Sequence, residues 1–148
     1  MLISTRSRYA LRVLARMARM EKRGENGPVS LAHLSEQEQV SVRYLEQIFG
    51  LLRGSGIVKG KRGPGGGYVL GMPPDKVSLF DVVDVLETDF LPATCMQGES
   101  GCAPGRRQDE HCPLEDACVT RPLWLTLRSM YYSYMKDRTL EDLIKGNI

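Results

Sequence analysis

The chain has 148 residues, 42% of them hydrophobic and 26% charged, with a net charge of +2. That length suits one core-forming domain with an appendage. No run reaches the roughly 18 apolar residues that span a bilayer, and MLISTRSRYA lacks the apolar core of a secretory signal, so a cytoplasmic protein with no membrane partner is expected. The charge is unevenly placed. Residues 1–67 carry twelve Lys and Arg against five Asp and Glu, a balance of +7, whereas residues 68–148 carry eight against thirteen, −5. A basic half beside an acidic half points to a polyanionic partner for the first half.

Ser4 or Thr5 can cap a first helix, in which Tyr9, Leu11, Val13, Leu14, Met17, Ala18 and Met20 recur at helical spacing. Arg6, Arg8, Arg12, Arg16 and Arg19 take the other faces, and Arg6 and Arg8 are placed to reach phosphates. After the loop Gly24–Pro28, Ser30 caps a second helix from Leu31 to about Gln39, with Leu31, Ala32 and Leu34 facing inward. Val40 and Ser41 form a tight turn. Ser41 caps a third helix, stopped by Gly54 and Gly56. It buries Val42, Leu45, Ile48, Phe49 and Leu52 and turns Arg43, Tyr44, Glu46, Gln47 and Arg53 outward.

Two helices joined by a tight turn, the second presenting polar groups, form a helix-turn-helix. A short strand, Ile57-Val58-Lys59, a turn through Pro64–Gly67 and a second strand from Tyr68 add a hairpin bearing Lys59, Lys61 and Arg62. The glycines do not form a nucleotide-binding loop. Such a loop needs Lys-Ser or Lys-Thr opening a helix, and here Tyr-Val-Leu follows. They let the tip, around Gly65, turn sharply and come close to a duplex. A helix with polar outward groups fits a major groove, where Glu46 can accept from cytosine, Gln47 can pair with adenine and Arg43 can take guanine or a phosphate. Ser41 and Tyr44 complete the helix's candidate contacts. Arg62 is the candidate for the minor groove, with Lys59 and Lys61 on phosphates.

A proline-bearing linker, Met72–Lys76, leads to a helix capped by Ser78, Leu79 to about Glu87, with Leu79, Val82, Val83, Val85 and Leu86 apolar. Periodicity then fails from Thr88 to Arg121, a stretch that is long for a compact domain unless it carries function. A helix from Pro122 to about Lys136 follows, with Leu123, Trp124, Leu127, Met130, Tyr131 and Tyr134 making a broad apolar surface. A second subunit is the expected partner for that surface, since two-fold dimers read palindromic operators. Thr139 caps a last short helix, LEDLI. The fold class expected is mainly α with a small β-hairpin. Residues 1–87 make a winged helix-turn-helix domain, 88–121 a cysteine-bearing sensor loop, and 122–148 a dimerisation helix with a short final helix.

The run YLEQIFGLLRGSGIV followed by KRGPGGGYVL resembles the winged-helix regulators of the IscR, NsrR and CymR type, an Rrf-type family. The resemblance extends from ISTRSRYALRVLARMA to TLEDLI. It implies a Glu-Gln pair reading DNA, here Glu46 and Gln47, and a long helix serving as the dimer interface. Arg43 departs from the smaller polar residue of the best-known branch, which bears on the operator preferred.

All four cysteines lie in the aperiodic stretch: Cys95, Cys102, Cys112 and Cys118, with gaps of six, nine and five residues. In a reducing compartment they are metal ligands or redox sensors before they are disulfides. Their spacing does not make two CxxC knuckles, so a zinc ribbon is poorly matched, but irregularly spaced thiolates on a loop can hold an iron–sulfur cluster. Zinc binding or a thiol/disulfide switch are the alternatives. In the family, three cysteines plus one other residue bind a 2Fe–2S or 4Fe–4S cluster, and CVTRPLW resembles the last of those cysteines. Cys118, Cys112 and Cys95 match the three. One branch uses a histidine just after the last cysteine, where this chain has Arg121. Other members use the partner's first helix, where this chain has Arg8 and Arg12. Cys102 is therefore the fourth ligand expected, with His111 as the substitute, and 2Fe–2S is preferred over 4Fe–4S. His33 reads as a surface residue.

No acid/base or nucleophile constellation appears, so an enzyme is not expected. The reading is a homodimeric transcriptional repressor that senses redox state, nitric oxide or iron–sulfur status through the cluster. An electron-transfer iron–sulfur protein is the rival from another class, but it leaves the basic hairpin unused.

Overall fold

In a computed structural model, residues 3–87 and 116–148 are described. They fall into two units. The larger joins residues 3–87 to residues 135–148, and the other holds residues 116–134. Cys95, Cys102, Cys112 and His111 lie outside the described residues, as does most of the stretch read as a sensor loop.

The larger unit is built on three helices. α1 (Thr5–Lys22) is capped by Ser4, whose hydroxyl accepts from the Ser7 amide at 3.2 Å, and its last turn carries Arg19 and Lys22, cations suited to a helix C-terminus. α2 (Leu31–Glu38) is capped by Ser30 in the same way. It ends one residue earlier than its spacing predicts, because Gln39 adopts a left-handed conformation with φ 54° and turns the chain sharply. α3 (Val42–Gly54) follows after Ser41, whose hydroxyl accepts from the Tyr44 amide at 3.3 Å.

Leu45, Ile48, Phe49 and Leu52 of α3 are buried with Val13, Leu14 and Ala18 of α1 and Leu34 of α2. Each large apolar side chain withdrawn from water contributes roughly 1.5–3 kcal/mol, so the buried face rather than intrinsic propensity holds α3 in place. Val42 and Ala32 were expected on the core side. Both are exposed, Val42 at 39%, because each sits in the first turn of its helix, beyond the edge of the packed face.

β1 (Val58–Lys61) and β2 (Gly67–Leu70) pair antiparallel, with Val58 opposite Leu70 and Lys61 opposite Gly67. β1 starts one residue later than the sequence suggests and runs on through Lys61. Tyr68 locks the hairpin to the helices in two ways. Its ring meets Phe49 at 4.8 Å between centroids, and its backbone exchanges two hydrogen bonds with Val29, at 2.9 and 2.8 Å.

A short 3-10 turn (Pro74–Lys76) leads to α4 (Leu79–Leu86), which opens on a capping box between Ser78 and Asp81. α5 (Arg121–Lys136) begins in the second unit, and its last residues, Met135 and Lys136, belong to the first. α6 (Leu140–Lys145), with a Thr139–Asp142 capping box, packs on α1. The returning chain is stitched beside the start of α4: the Leu79 amide donates to the Arg138 carbonyl at 2.8 Å, and the Leu140 amide to the Val77 carbonyl at 2.9 Å.

Candidate nucleic-acid interface

The polar face of α3 is presented as the spacing requires. Arg43, Glu46, Gln47 and Gly50 are exposed and fall within an arc of about 100° on the helix. Ser41 stands at the head of this face. Its hydroxyl is already accepting from the Tyr44 amide, which leaves its proton free to donate outward.

Tyr44 is half-buried rather than fully outward. Its ring stands edge-on to Tyr9 at 5.9 Å, and the Arg12 guanidinium lies over Tyr9 at 5.5 Å. The side chain that sequence alone assigns to the duplex thus also braces α3 against α1.

On the hairpin, Lys59 and Lys61 are two apart on β1 and share one face, and Arg62 follows at the turn; all three are exposed. Gly65 sits at the exposed tip with φ 74°. Arg6 and Arg8 are exposed in the first turn of α1.

That first turn is anchored. The Ser4 amide and the Ser7 hydroxyl donate to Glu87 Oε1 at 2.9 and 2.5 Å, so the start of α1 is tied to the residue just after α4. Partial burial pushes the Glu87 carboxyl up, but the hydrogen bonds from Ser4 and Ser7 and the nearby Arg6 outweigh it and hold the group below the ordinary glutamate range.

Two arginines do not belong to a DNA face. Arg12 Nε and Nη2 donate to Glu38 Oε2 at 3.1 and 2.9 Å, Arg12 Nη2 also donates to the Glu38 carbonyl at 2.9 Å, and Arg16 Nε donates to Glu38 Oε1. Glu38, only 8% exposed, closes α2 at the turn, so α1 fixes the turn through charge-assisted bonds. Sequence reasoning did not anticipate this pairing. The signal was there: Leu31, Leu34 and Glu38 recur at i, i+3 and i+7, which puts an acid on the inward face.

Of the cysteines only Cys118 is described. It is half-exposed three residues before α5, with Thr120 Oγ1 3.4 Å from its sulfur. The Thr120 hydroxyl, then the Thr120 and Arg121 amides and the Arg121 charge, hold its thiol below the usual value. An accessible thiol whose ionisation is eased suits a metal–sulfur ligand.

A helix-turn-helix with an exposed polar second helix and a cationic hairpin docked beside it is a winged helix-turn-helix DNA-binding regulator. Residues 3–146 match the family described as "Rrf2: Iron-dependent Transcriptional regulator". The chain belongs to the Rrf2 family, and it is a transcriptional regulator rather than an enzyme. It is 34% identical over 146 residues to the HTH-type transcriptional regulator IscR of Xenorhabdus nematophila, covering 99% of this chain and 80% of that one, and 35% identical over 147 residues to IscR of Aliivibrio salmonicida, covering 99% and 79%. Among solved structures, CymR, the global cysteine regulator of B. subtilis, is 34% identical with a TM-score of 0.73 over 99% of this chain and 98% of that one. T. potens IscR is 28% identical with a TM-score of 0.72 over 100% and 89%. Among the described residues no helix is long and apolar enough to cross a membrane.

Proposed function

We propose that the protein is a homodimeric repressor that reads a palindromic operator and responds to redox or iron–sulfur status through a cluster held by its cysteines. The observation that carries the DNA half is that α3's exposed polar arc and the exposed cations of β1 sit on elements joined through Phe49 and Tyr68. α3 reads the major groove through Arg43, Glu46 and Gln47, with Ser41 and Tyr44 contributing hydroxyls. Lys59 and Lys61 hold phosphates, Gly65 lets the tip approach the duplex, and Arg62 enters the minor groove. Arg6 and Arg8 add phosphate contacts.

Dimerisation is supported by α5. Leu123, Leu127, Met130 and Tyr134 are exposed, at 41–64%, and recur at i, i+4, i+7 and i+11, a single apolar seam that suits a second copy of the same helix. The division into a DNA-binding domain at 1–87, a sensor loop at 88–121 and a dimer segment at 122–148 belongs to the same reading.

The metal half rests on donor chemistry. Cys118 is an accessible thiol held below its usual value, four cysteines make a complete ligand set, and relatives bear the name IscR within a family described as iron-dependent. Cys95, Cys102, Cys112 and Cys118 would hold the cluster, 2Fe–2S in preference to 4Fe–4S. When bound, such a cluster supplies iron–thiolate bonds that oxidants and nitric oxide attack. Thr120 and Arg121 favour the ionised form of the Cys118 thiol, and Arg121 opens α5. A cytoplasmic setting keeps the thiols reduced.

The DNA reading is tested by operator binding at physiological salt. Arg62→Ala should lower affinity about tenfold and flatten its salt dependence. Unchanged binding would remove the wing from the interface. The metal reading is tested by purification under anaerobic conditions. Iron and acid-labile sulfide should be present and should fall in a Cys118→Ala variant, whereas stoichiometric zinc alone would assign a structural metal.

A further inference from the structure

A second line of cations runs along α1 to its C-cap, away from the DNA face and only in part engaged by Glu38. Arg12, Arg16, Arg19 and Arg23 lie within about 60° of one another on the helix and extend along about 16 Å of its axis. They line one side of an open cleft of about 510 Å3. The cleft contains one carboxylate, Glu38, which is already bonded to Arg12 and Arg16. Arg19 and Arg23 have no acidic partner among the described residues, so the cleft holds four guanidinium groups against one acid.

The rest of the lining is apolar. Leu11 and Ala15 of α1, Leu79 of α4 and Leu143 of α6 supply it. A phosphodiester backbone has no use for such walls, whereas a small molecule with one anionic end and one apolar end matches both sides. The volume lies in the range of sites for small organic ligands.

We propose that this cleft binds a small organic anion with an apolar body, such as a medium-chain carboxylate. The carboxylate end meets the Arg19 and Arg23 guanidiniums, which can take it in a bidentate fork. The apolar end lies along Leu11, Ala15, Leu79 and Leu143. The occupant sits beside Arg12, which also holds the Glu38 carbonyl at the helix-turn-helix turn, so it contacts the group that sets that turn. The site is independent of how the protein meets DNA.

Sodium octanoate is the probe, titrated into uniformly 15N-labelled full-length protein and followed by amide chemical shifts. Saturable shifts should map to residues 11–23, 38, 79 and 143. The isosteric neutral 1-octanol should not reproduce them. Arg19→Glu/Arg23→Glu should weaken the site at least about tenfold, and Arg19→Gln/Arg23→Gln should weaken it less. Both positions are exposed, so these variants keep the core intact. Shifts that never saturate, that map to the apolar seam of α5, that 1-octanol reproduces or that survive the charge reversal would each overturn the proposal.

Discussion

Gly67 is where the hairpin touches the loop between α1 and α2, and replacing it tests whether the wing must be held there to bind DNA. Its φ is 153°, outside the range that L side chains readily adopt. A Cβ at this position would lie 2.4 Å from the Val29 carbonyl oxygen, 2.6 Å from its carbon and 2.9 Å from the Ser30 nitrogen. These are backbone atoms, which cannot rotate out of the way. In Gly67→Ala the strand must move off Val29, and the two backbone bonds between Val29 and Tyr68 are lost. At about 0.5–1.5 kcal/mol each, their loss costs about 1–3 kcal/mol in all. A domain of this size typically has 5–15 kcal/mol of stability, so the helical core survives and the melting temperature falls by about 3–10 °C. Operator affinity, read by fluorescence anisotropy at fixed salt, should fall together with melting temperature, because Lys59, Lys61 and Arg62 are no longer held against α3. A variant that melts lower yet binds its operator as tightly as the wild type would refute the requirement for a docked wing.

The Glu38 cluster predicts an order of losses in urea unfolding. Glu38→Gln should cost about 1.5–3 kcal/mol, and Arg12→Ala/Arg16→Ala should cost more, about 3–5 kcal/mol, because it leaves a buried carboxylate unpaired; the reverse order would show that the acid is not the costly partner. Gly50 lies in the exposed arc of α3, and a Cβ there meets nothing within 4 Å. Gly50→Ala should therefore stabilise the protein by up to about 1 kcal/mol while weakening operator binding, and unchanged binding would move that part of the helix away from the duplex. Glu87 is held below the ordinary glutamate value of about 4.3, so its contribution to stability is present above that value and is lost as pH falls through its lower folded value. Glu87→Gln should flatten the acid limb of stability below about pH 4 in thermal melts, and an unchanged limb would remove Ser4 and Ser7 as its stabilising donors.

The local devices of this fold were legible in the residues, and the long-range ones were not. Ser4, Ser30, Ser41, Ser78 and Thr139 each cap the helix that sequence assigned to them, because capping needs only the next three residues. The buried face of α3 follows from its period. The brace between Tyr44 and Tyr9 and the pairing of Glu38 with two arginines on another helix depend on which helices meet, and spacing within one helix cannot say that. The close approach at Gly67 has the same origin: the glycine run announces a tight turn, but not that one of its members presses on Val29. Of the site residues, Arg43, Glu46 and Gln47 on α3 and Lys59 and Lys61 on β1 are exposed as their pattern implied, whereas Tyr44 is half-buried against Tyr9. Cys118 is the one cysteine whose surroundings are described, and its neighbours Thr120 and Arg121 account for its acidity.

The charge asymmetry is the feature most changed by the structure. The +7 of the first 67 residues reads as one electrostatic footprint, yet its twelve cations divide into four groups, one of them Lys22 alone, whose ammonium lies 3.8 Å from Glu141 of α6. Arg12 and Arg16 share the single carboxylate of Glu38. Arg19 and Arg23 share a cleft with those two rather than the polar arc of α3. Arg6, Arg8, Arg43, Arg53, Lys59, Lys61 and Arg62 remain, exposed on the first turn of α1, on α3 and on the hairpin. Each phosphate neutralised contributes a slope of about 0.9 to the fall of log affinity with log salt, so seven cations set a ceiling of about 6 per protomer. Counting every basic residue in the first 67 would give a ceiling nearly twice as high. The difference is the charge that α1 directs to its own fold and to the cleft, and net charge alone could not have separated the two uses.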